Sequence, residues 1–472
     1  MGDTRQLLNA IQEKARSGNV PEQTIRAFLS GVKAVAQGNT GHISEGEIEP
    51  VHDLARLTEL PPIDDEGSVP LESLAVIKLN GGLGTGMGLD GPKSLLRAKD
   101  RWTFLDLIVK QVLHYRHGRQ EGRPALYFMN SFSTQIPTLK YLEQYPELKQ
   151  GQEGVDFLQG KVPKLHADTL LPVDWPNDPR LEWCPPGHGD IYAALQSDTV
   201  LLDRLLSQGF KYLFVSNSDN LGAAVSPELL SYFAKSGASF MMEVARRTVA
   251  DKKGGHLARR RSDRRLVLRE IAQCPPKDRE AFGDSDRYAY FNTNNLWVNL
   301  SRLKEILNQS DGVLPLSVIA NRKTVDPRDA SSPKVIQIET AMGAAIECFN
   351  DSMAIEVPRT RFAPVKSTAD LLSLWSDAYE LSEDFSLRLV PSRKGTPPEV
   401  ILDSQHYKCH LDFEDRFKHG VPSLVACNRF EVIGDCEFEA GVSCSGEVRF
   451  ENRSDTRKPV KAAQYCDEAV LL

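Results

Sequence analysis

A cluster of glycines followed by a lysine has the residue types and spacing that phosphate binding requires. Residues 74–77 are apolar and predict a buried strand, and six glycines follow between positions 81 and 91. Glycine lets backbone N–H groups turn toward an anion. Lys93 adds a full positive charge just before a helical pattern. A strand, a glycine loop, a lysine and a helix in this order predict a site for nucleotide phosphates.

Two familiar phosphate motifs fit this run imperfectly. Gly86, Gly88 and Gly91 match GxGxxG, but that dinucleotide fingerprint should begin directly at the strand end. Gly86 and Gly91 also have the spacing of a P-loop, but Pro92 intrudes before Lys93 and has no N–H to donate. A glycine-rich surface turn without a ligand is the remaining alternative, although so many glycines cost conformational entropy there.

Composition and charge are those of an ordinary globular protein. The 472 residues, 41% hydrophobic and 26% charged, suffice for two or three domains. The net charge of −7 disfavours nonspecific binding to nucleic acid or anionic membranes. No apolar run is long enough to span a bilayer, and the N-terminus lacks the apolar core of a signal peptide. The eight cysteines form no CxxC pair, which predicts reduced, mostly packed thiols in a cytoplasmic protein.

Two segments of different pattern must position the phosphate-binding residues. Residues 1–70 predict an N-terminal helical segment, with a linker at 61–65. Residues 71–390 alternate predicted strands with predicted helices. The strands are predicted at 74–79, 125–129, 212–216 and 239–245, and the helices at 104–115, 227–235, 300–307, 339–349 and 369–379. This alternation predicts an α/β fold with a doubly wound, mixed, mainly parallel sheet, whose ligands lie beyond the carboxyl ends of the strands.

A third segment, residues 391–472, has a different period. Apolar residues recur there every six positions in two registers: Phe430, Cys436, Val442 and Val448, and Val432, Phe438, Cys444 and Phe450. A period of six predicts the stacked short strands of a hexapeptide β-helix. An ordinary antiparallel meander remains an alternative, because alternation of period two also produces period six.

The run LNGGLGTGMGLDGPKS resembles the nucleotide-binding signature of the UTP–glucose-1-phosphate uridylyltransferase (UDP-glucose pyrophosphorylase) family. The wider nucleotidyltransferase group has G-G-x-G-T-R-L-G at this place, whereas Met87 follows Gly86 here. The resemblance extends from about residue 70 to about residue 455. It implies a Rossmann-like nucleotidyltransferase fold with a C-terminal left-handed β-helix. It also implies reversible conversion of UTP and glucose 1-phosphate to UDP-glucose and pyrophosphate.

The implied reaction needs charge stabilisation rather than a nucleophilic side chain. The sugar phosphate is already anionic, and one of its oxygens attacks the α-phosphorus of UTP in line. Lysines, backbone N–H groups and a divalent cation are the expected parts. The resemblance implies Lys93 and Lys366 as the catalytic lysines, the latter within RFAPVKSTADLL, and Asp219 as the ligand of a Mg²⁺ cofactor. Residue type alone leaves solvated lysines and an Asx-turn aspartate as alternatives.

The resemblance also implies the residues that bind each substrate. For the nucleotide they are Gly81, Gly82, Lys93, Gln159, Gly187, His188, Asp219 and Gly255. For the sugar they are His188, Asn217, Glu270, Asn292 and Asn294. A side-chain amide offers both a donor and an acceptor, which suits the uracil edge at Gln159 and the sugar hydroxyls at residues 292–295. Gly187 would face the uracil, and His188 would lie near the phosphates without acting as a base.

Several other interpretations stay open. A broad-specificity UDP-sugar or UDP-N-acetylhexosamine pyrophosphorylase would need a differently shaped sugar pocket. A NAD-binding oxidoreductase would need its fingerprint at the strand end, and a non-catalytic nucleotide-binding protein would lose the two lysines. The basic run 259–265 predicts a solvated loop rather than a nucleic-acid site, and we expect neither nucleic acid nor membrane as a partner. The C-terminal segment could supply an edge for a homo-oligomer.

Overall fold

The computed structural model describes residues 2–39, 41–62, 69–119, 122–197, 200–248, 251–252, 254–327 and 329–472. The α-helices are α1 Gly2–Ser17, α2 Glu22–Ala36, α3 Phe104–Arg116, α4 Gln135–Leu142, α5 Ile191–Ala194, α6 Leu201–Ser207, α7 Pro227–Ser236, α8 Arg279–Gly283, α9 Leu300–Gln309, α10 Thr368–Trp375, α11 Ser404–Tyr407 and α12 His410–Arg416.

The strands of the first half are β1 Ile48–Pro50, β2 Leu74–Asn80, β3 Arg97–Lys99, β4 Trp102–Thr103, β5 Ala125–Asn130, β6 Asp156–Leu158, β7 Val162–Pro163, β8 Leu165–His166, β9 Trp183–Cys184, β10 Tyr212–Asn217 and β11 Phe240–Arg246. Those of the second half are β12 His256–Arg260, β13 Leu266–Arg269, β14 Tyr290–Asn299, β15 Val318–Thr324, β16 Lys334–Thr340, β17 Met353–Glu356, β18 Tyr379–Leu381, β19 Leu387–Leu389, β20 Glu399–Leu402, β21 Ser423–Ile433, β22 Cys436–Phe438, β23 Ser443–Glu451, β24 Lys458–Val460 and β25 Gln464–Leu471.

A mixed ten-stranded sheet forms the centre of the molecule. Its main path runs β1-β12-β14-β10-β2-β5-β6, with β11, β13 and β17 paired alongside. The block β10-β2-β5-β6 and the pair β11-β17 are parallel, whereas β14 runs antiparallel to its neighbours β10 and β11. The predicted α/β fold with a mainly parallel central sheet is confirmed. The carboxyl ends of β10, β2 and β5 therefore meet at one edge.

Both faces of this sheet are covered by helices, as a doubly wound arrangement requires. Along β2, Val76 joins an apolar cluster with α3, α7 and α10. The next residue, Ile77, points to the opposite face and joins a second cluster with α6 and α9. The alternation of side chains along β2 thus anchors the sheet between two helical layers.

The N-terminal helices pack against a small three-stranded sheet, β15-β16-β8. Ile11 of α1 and Phe28 and Val32 of α2 are buried there with Ile338 of β16. Helices α1 and α2 agree with the helical character predicted for the N-terminal segment. Pro61 and Pro62 are irregular, and the rest of the predicted linker, residues 63–65, lies outside the described residues.

The C-terminal strands pair in parallel. β20-β21-β23-β25 form one sheet and β22-β24 a second. Phe430 lies beside Val448, and Val432 beside Phe450, three six-residue steps further along the chain. Both predicted apolar registers are buried, and the parallel pairing excludes the antiparallel meander for these strands. The handed β-helix and the boundaries 1–70, 71–390 and 391–472 stay predictions.

The helix predicted directly after Lys93 is wrong. Lys93–Leu95 forms a single 3-10 turn, and the hairpin β3-β4 follows before α3 begins at Phe104. The helix starts there because Thr103 and Asp106 form a reciprocal capping box, in which each side chain accepts from the backbone N–H of the other.

Two more predicted helices differ from the structure. The segment 339–349 begins inside β16, whose branched residues pair with β15 and β8, and only Met342–Glu347 is helical, as a 3-10 helix. The segment predicted at 369–379 is helical only through Trp375, and β18 begins at Tyr379.

The basic run 259–265 comprises the end of β12 and the exposed turn that joins it to β13, so the predicted solvated loop is confirmed for residues 261–265. β12 ends at Arg260 and β13 begins at Leu266. Arg260 pairs with Glu347, and Arg264 pairs with Glu49. These arginines are therefore neutralised by carboxylates of neighbouring elements.

The state of the cysteines agrees with the prediction of reduced, packed thiols. All eight cysteines are free thiols, and five are buried: Cys184, Cys274, Cys427, Cys436 and Cys444. The prediction of mostly packed thiols is confirmed.

Within the described ranges, no helix combines the length and apolarity needed to cross a membrane.

Candidate active site

A buried network of polar side chains joins the strand ends at one edge of the sheet. The Asn80 amide at the end of β2 donates to Asn130 Oδ1 (2.8 Å) and to Thr138 Oγ1 (2.9 Å). The Ser218 hydroxyl, just after β10, donates to Asn80 Oδ1 (3.1 Å). Since buried polar groups are costly unless paired, this network holds the ends of β2, β5 and β10 in a fixed relation.

The glycine loop leaves β2 at this network and closes on itself. The Lys93 N–H donates to the Gly82 carbonyl (3.3 Å), so the loop returns to its start. A Cβ built on Gly82 would meet no described atom within 4 Å, and one on Gly81 would lie 2.8 Å from Gln159 Oε1. Gly81 therefore lies directly against the Gln159 side chain, and open space lies over Gly82.

Lys93 and Asp219 form an ion pair across the edge. Lys93 Nζ lies 2.8 Å from Asp219 Oδ2, and the two side chains are 16% and 24% exposed. The structure thus brings the predicted phosphate-binding lysine to the predicted metal ligand. Such a half-buried cation and anion are accessible to a charged ligand.

The segment before Lys366 is docked on the turn that carries Asp219. The Val365 N–H donates to the Asp219 carbonyl (3.1 Å), and the Ala363 N–H donates to Asn220 Oδ1 (2.9 Å). The Lys366 side chain is exposed. The second predicted lysine is therefore placed at the same edge as the first.

Gln159, Gly81 and Gly187 form a second group, at the β5-β6 side of the edge. The Gln159 N–H donates to the Asn130 carbonyl (2.7 Å), and its side-chain amide donates to the Gly187 carbonyl (3.0 Å). Gly187 has φ 83°, and a Cβ there would collide with the Thr340 carbonyl oxygen. Only glycine fits this position without strain.

His188 is held as a neutral imidazole. The Met342 N–H donates to His188 Nδ1 (2.9 Å), and burial lowers the pKa of the ring to about 4. Because Nδ1 accepts, the single proton of the neutral ring resides on Nε2. His188 is therefore suited to donate a hydrogen bond and not to act as a base.

Asp190 links the Gly187 loop to the N-terminal helices. Its carboxyl accepts from the Gly160 N–H (2.6 Å) and from the Thr24 hydroxyl of α2 (3.1 Å). Burial raises the pKa of Asp190 to about 6. Helix α2 thus contributes directly to the order of the loop beside Gln159.

The predicted sugar-binding residues cluster at a bulge in β14. The Asn292 side-chain amide donates to Asn294 Oδ1 (2.8 Å), and Asn294 has a left-handed φ of 59° where β14 loses register with β11. The Asn292 N–H donates to the Gly255 carbonyl (3.0 Å), and a Cβ on Gly255 would lie 2.5 Å from Glu270 Oε2. Burial raises the pKa of Glu270, an effect opposed by the charge of Lys366.

Asn217 lies at the end of β10, which pairs antiparallel with β14. It therefore stands on the side of the edge nearest the bulge. The site residues form three adjoining groups in the order of the strands β14, β10, β2, β5 and β6.

Asp219 is the carboxylate at this edge that could bind a metal ion. Over the residues that the structure describes, no group of three or more His, Cys, Asp or Glu side chains could hold a metal. Asp219 alone fits Mg²⁺ when phosphate oxygens and water supply the other ligands, as Mg²⁺ sites commonly require.

Three charged residues beneath the edge were missed in the sequence. Glu243 is 0% exposed and receives both guanidinium contacts of Arg361, at 2.7 and 2.8 Å. Lys78 is 3% exposed in β2. The available signal was a single charge inside an apolar strand, present at Lys78 and at Glu243. No such signal marks Arg361.

The fold and the site together define an α/β nucleotide-binding protein, with a glycine loop and a lysine after the strand β2. A family model described as UTP–glucose-1-phosphate uridylyltransferase matches residues 25–445. The chain belongs to this family, and the resemblance seen in the glycine loop is confirmed.

Individual relatives agree over nearly the whole chain. UTP–glucose-1-phosphate uridylyltransferase of Hordeum vulgare is 38% identical over 442 residues, which cover 92% of this chain and 90% of that protein. A mutant UDP-glucose pyrophosphorylase from Leishmania major, solved in complex with UDP-glucose, is 45% identical with a TM-score of 0.91 over 99% of both chains. A Trypanosoma brucei structure described as UDP-glucose phosphorylase is 45% identical with a TM-score of 0.88, over 99% of this chain and 100% of that chain.

Proposed function

We propose that this protein catalyses reversible uridylyl transfer from UTP to glucose 1-phosphate, giving UDP-glucose and pyrophosphate. The observation that carries the proposal is the Lys93–Asp219 pair, which lies between the Gln159 group and the Asn292–Asn294 bulge along the sheet edge. A cation between an amide that can pair with a base and amides that can bind sugar hydroxyls suits a nucleoside phosphate and a sugar phosphate. The L. major relative with UDP-glucose bound supports the same assignment.

The nucleophile in this mechanism belongs to the substrate. A phosphate oxygen of glucose 1-phosphate attacks the α-phosphorus of UTP, and the bond to the departing pyrophosphate breaks in line with it. The backbone N–H groups of Gly81 and Gly82 and the ammonium of Lys93 hold the UTP phosphates. Lys366 offsets the repulsion between the two anionic substrates and the charge that grows on pyrophosphate.

Asp219 is the residue that would hold Mg²⁺. When bound, the ion neutralises phosphate charge that the two lysines leave uncompensated. The Lys93 ammonium, which pairs with Asp219, would lie beside the phosphates that this ion neutralises.

The remaining residues recognise the two ends of the product. Gln159 pairs with the uracil edge, Gly187 lies against the uracil, and His188 donates its Nε2 proton near the phosphates and the sugar. Gly255 completes the nucleotide side. The glucose hydroxyls are bound by Asn217, Glu270, Asn292 and Asn294.

Three further features belong to this proposal. The parallel C-terminal strands form a left-handed β-helix, which supplies an edge for a homo-oligomer. The protein acts in the cytoplasm, in keeping with its free thiols.

A pyrophosphate-release assay tests the proposal. UTP is paired in turn with the 1-phosphates of glucose, galactose and N-acetylglucosamine. The highest kcat/KM is expected with glucose 1-phosphate. Comparable values for all three sugars would favour a broad-specificity pyrophosphorylase. Binding of UTP without pyrophosphate release from any pair would indicate a non-catalytic nucleotide-binding protein.

A further inference from the structure

Lys78 is a buried lysine that touches the loop behind the active site. Its ammonium donates to the Ser216 hydroxyl in β10 (2.7 Å) and to the Ala223 carbonyl (2.7 Å). Both acceptors flank the turn that carries Asp219. The Lys78 side chain therefore ties the end of β10 to the far end of this turn.

A second buried cation holds the adjacent carbonyl. Arg361 donates to the Ala224 carbonyl (3.0 Å) through the same guanidinium that pairs with Glu243. The Asn220 amide donates in return to the Arg361 carbonyl (3.1 Å). Two buried cations, Lys78 and Arg361, thus donate to the consecutive carbonyls of Ala223 and Ala224.

The segment 219–224 has little freedom to move elsewhere. A Cβ on Gly222 would collide with the Thr360 carbonyl oxygen, so the turn packs directly on the 3-10 helix Arg359–Arg361 that precedes Lys366. The Ala223 N–H donates to the Asn220 carbonyl (3.2 Å) inside the turn. The Asp219 side chain extends from this turn, and its Oδ2 lies 2.8 Å from Lys93 Nζ.

We propose that Lys78 is a positioning residue for uridylyl transfer, whose ammonium clamps the 219–224 turn so that Asp219 stays beside Lys93. This inference rests on the proposed function. Hydrogen bonds from a charged donor are about twice as strong as neutral ones, and no apolar side chain of similar length can replace them. Burial, together with the nearby charge of Arg361 and against that of Glu243, lowers the pKa of Lys78 to about 7.

Lys78→Met tests the clamp, with Lys99→Met as the matched control. Lys99 is also buried, and its ammonium also donates to backbone carbonyls, those of Trp375 (3.3 Å) and Ser376 (2.5 Å). These acceptors lie at the end of α10, away from the 219–224 turn. Both variants lose a buried ammonium, but only Lys78→Met removes hydrogen bonds to the residues that flank Asp219.

We expect Lys78→Met to lower kcat about tenfold or more, with the KM for glucose 1-phosphate nearly unchanged. Amide hydrogen exchange at Ala223, measured without substrate or Mg²⁺, should be faster than in Lys99→Met. The ratio of wild-type to Lys78→Met kcat should also fall as pH rises through about 7, because the wild-type ammonium loses its charge. Substrate titration cancels in this ratio.

Equal kcat and equal Ala223 exchange in the two variants would overturn the clamp. Should Lys78→Met fail to fold, Ser216→Ala decides, because it removes one acceptor of Lys78 and introduces no charge. Faster Ala223 exchange and a lower kcat are expected, and wild-type values for both would refute the proposal. An inactive wild-type protein would instead refute the uridylyl transfer, while the exchange measurement would still test the clamp.

Discussion

The ammonium of Lys93 lies 2.8 Å from a carboxylate oxygen of Asp219. The pair joins the end of the glycine loop to the turn after β10, and so connects two parallel strands at their carboxyl ends. A carboxylate already holds this accessible ammonium in place. The lysine can therefore bind phosphate with little further loss of conformational entropy. This relationship underlies the first prediction.

Lys93→Ala should lose turnover and keep its fold. We expect kcat to fall about 100-fold or more, because a preorganised donor to developing charge is removed. Unfolding free energy should fall by only about 1 kcal/mol, since both side chains of the pair still contact water. Steady-state kinetics and thermal unfolding measure the two effects.

Lys304→Ala is the control for this variant, because Lys304 Nζ also lies 2.8 Å from a carboxylate, that of Asp203, on a surface away from the glycine loop. Its kcat should match the wild type. Full activity in Lys93→Ala would remove the role assigned to this lysine.

Local pattern predicted the core strands and the phosphate loop well. Apolar runs placed β2, β5, β10 and β11 within one residue at each end, because a strand buried on both faces is apolar at most positions. The run of glycines located the loop in the sequence. In the structure, the lack of a side chain at Gly81 lets the loop lie directly against Gln159. Family resemblance, not spacing, pointed to Lys366 and the bulge.

What pattern could not predict depends on contacts between distant residues. Thr24 and Asp190, or Glu243 and Arg361, are separated by more than a hundred residues, and no local period records such a pair. The helix expected directly after Lys93 failed for a different, local reason. The capping box at Thr103 and Asp106, further along the chain, decides where α3 begins.

Gln159→Leu should weaken UTP binding selectively. The substitution keeps the volume but removes a donor and an acceptor for the uracil edge, at a cost of about 1–3 kcal/mol. We expect the KM for UTP to rise about tenfold or more, with a smaller change in the KM for glucose 1-phosphate. Gln144→Leu is the control, because the Gln144 side chain is exposed and its amide donates to the nearby Tyr141 carbonyl. Equal effects on both substrates would speak against uracil recognition.

Asn292→Ala should weaken sugar binding and leave UTP binding intact. Its amide bonds to Asn294 at the open bulge, where both side chains can address hydroxyl groups. We expect the KM for glucose 1-phosphate to rise about tenfold. Asn294→Gly is a useful partner variant, because glycine keeps the left-handed φ of 59° without strain. A parallel rise in the KM for UTP in both variants would mean that the bulge only supports the fold.

Asp190 should make stability depend on mildly acidic pH. Burial raises its pKa from 3.8 to about 6, so the folded state binds a proton that the unfolded state releases. The resulting stabilisation is present below about pH 4 and is lost as pH rises through about 6. The stability of the wild type relative to Asp190→Asn should therefore decline over this range, by up to about 3 kcal/mol.

Denaturant unfolding at several pH values measures this difference. Asp403→Asn is the control, because backbone N–H groups of Gln405 and Gly434 lower the pKa of Asp403 despite its desolvation. Its difference from the wild type should stay flat over the same range. A flat difference for Asp190→Asn as well would show that this carboxyl titrates normally.

The most direct measurement is a crystal structure of this protein with UDP-glucose bound. The account predicts the diphosphate over the Gly81–Gly82 turn within reach of Lys93, the uracil against Gly187 and Gln159, and the glucose at Asn292 and Asn294. A nucleotide bound elsewhere, with no ligand density along that turn, would contradict it.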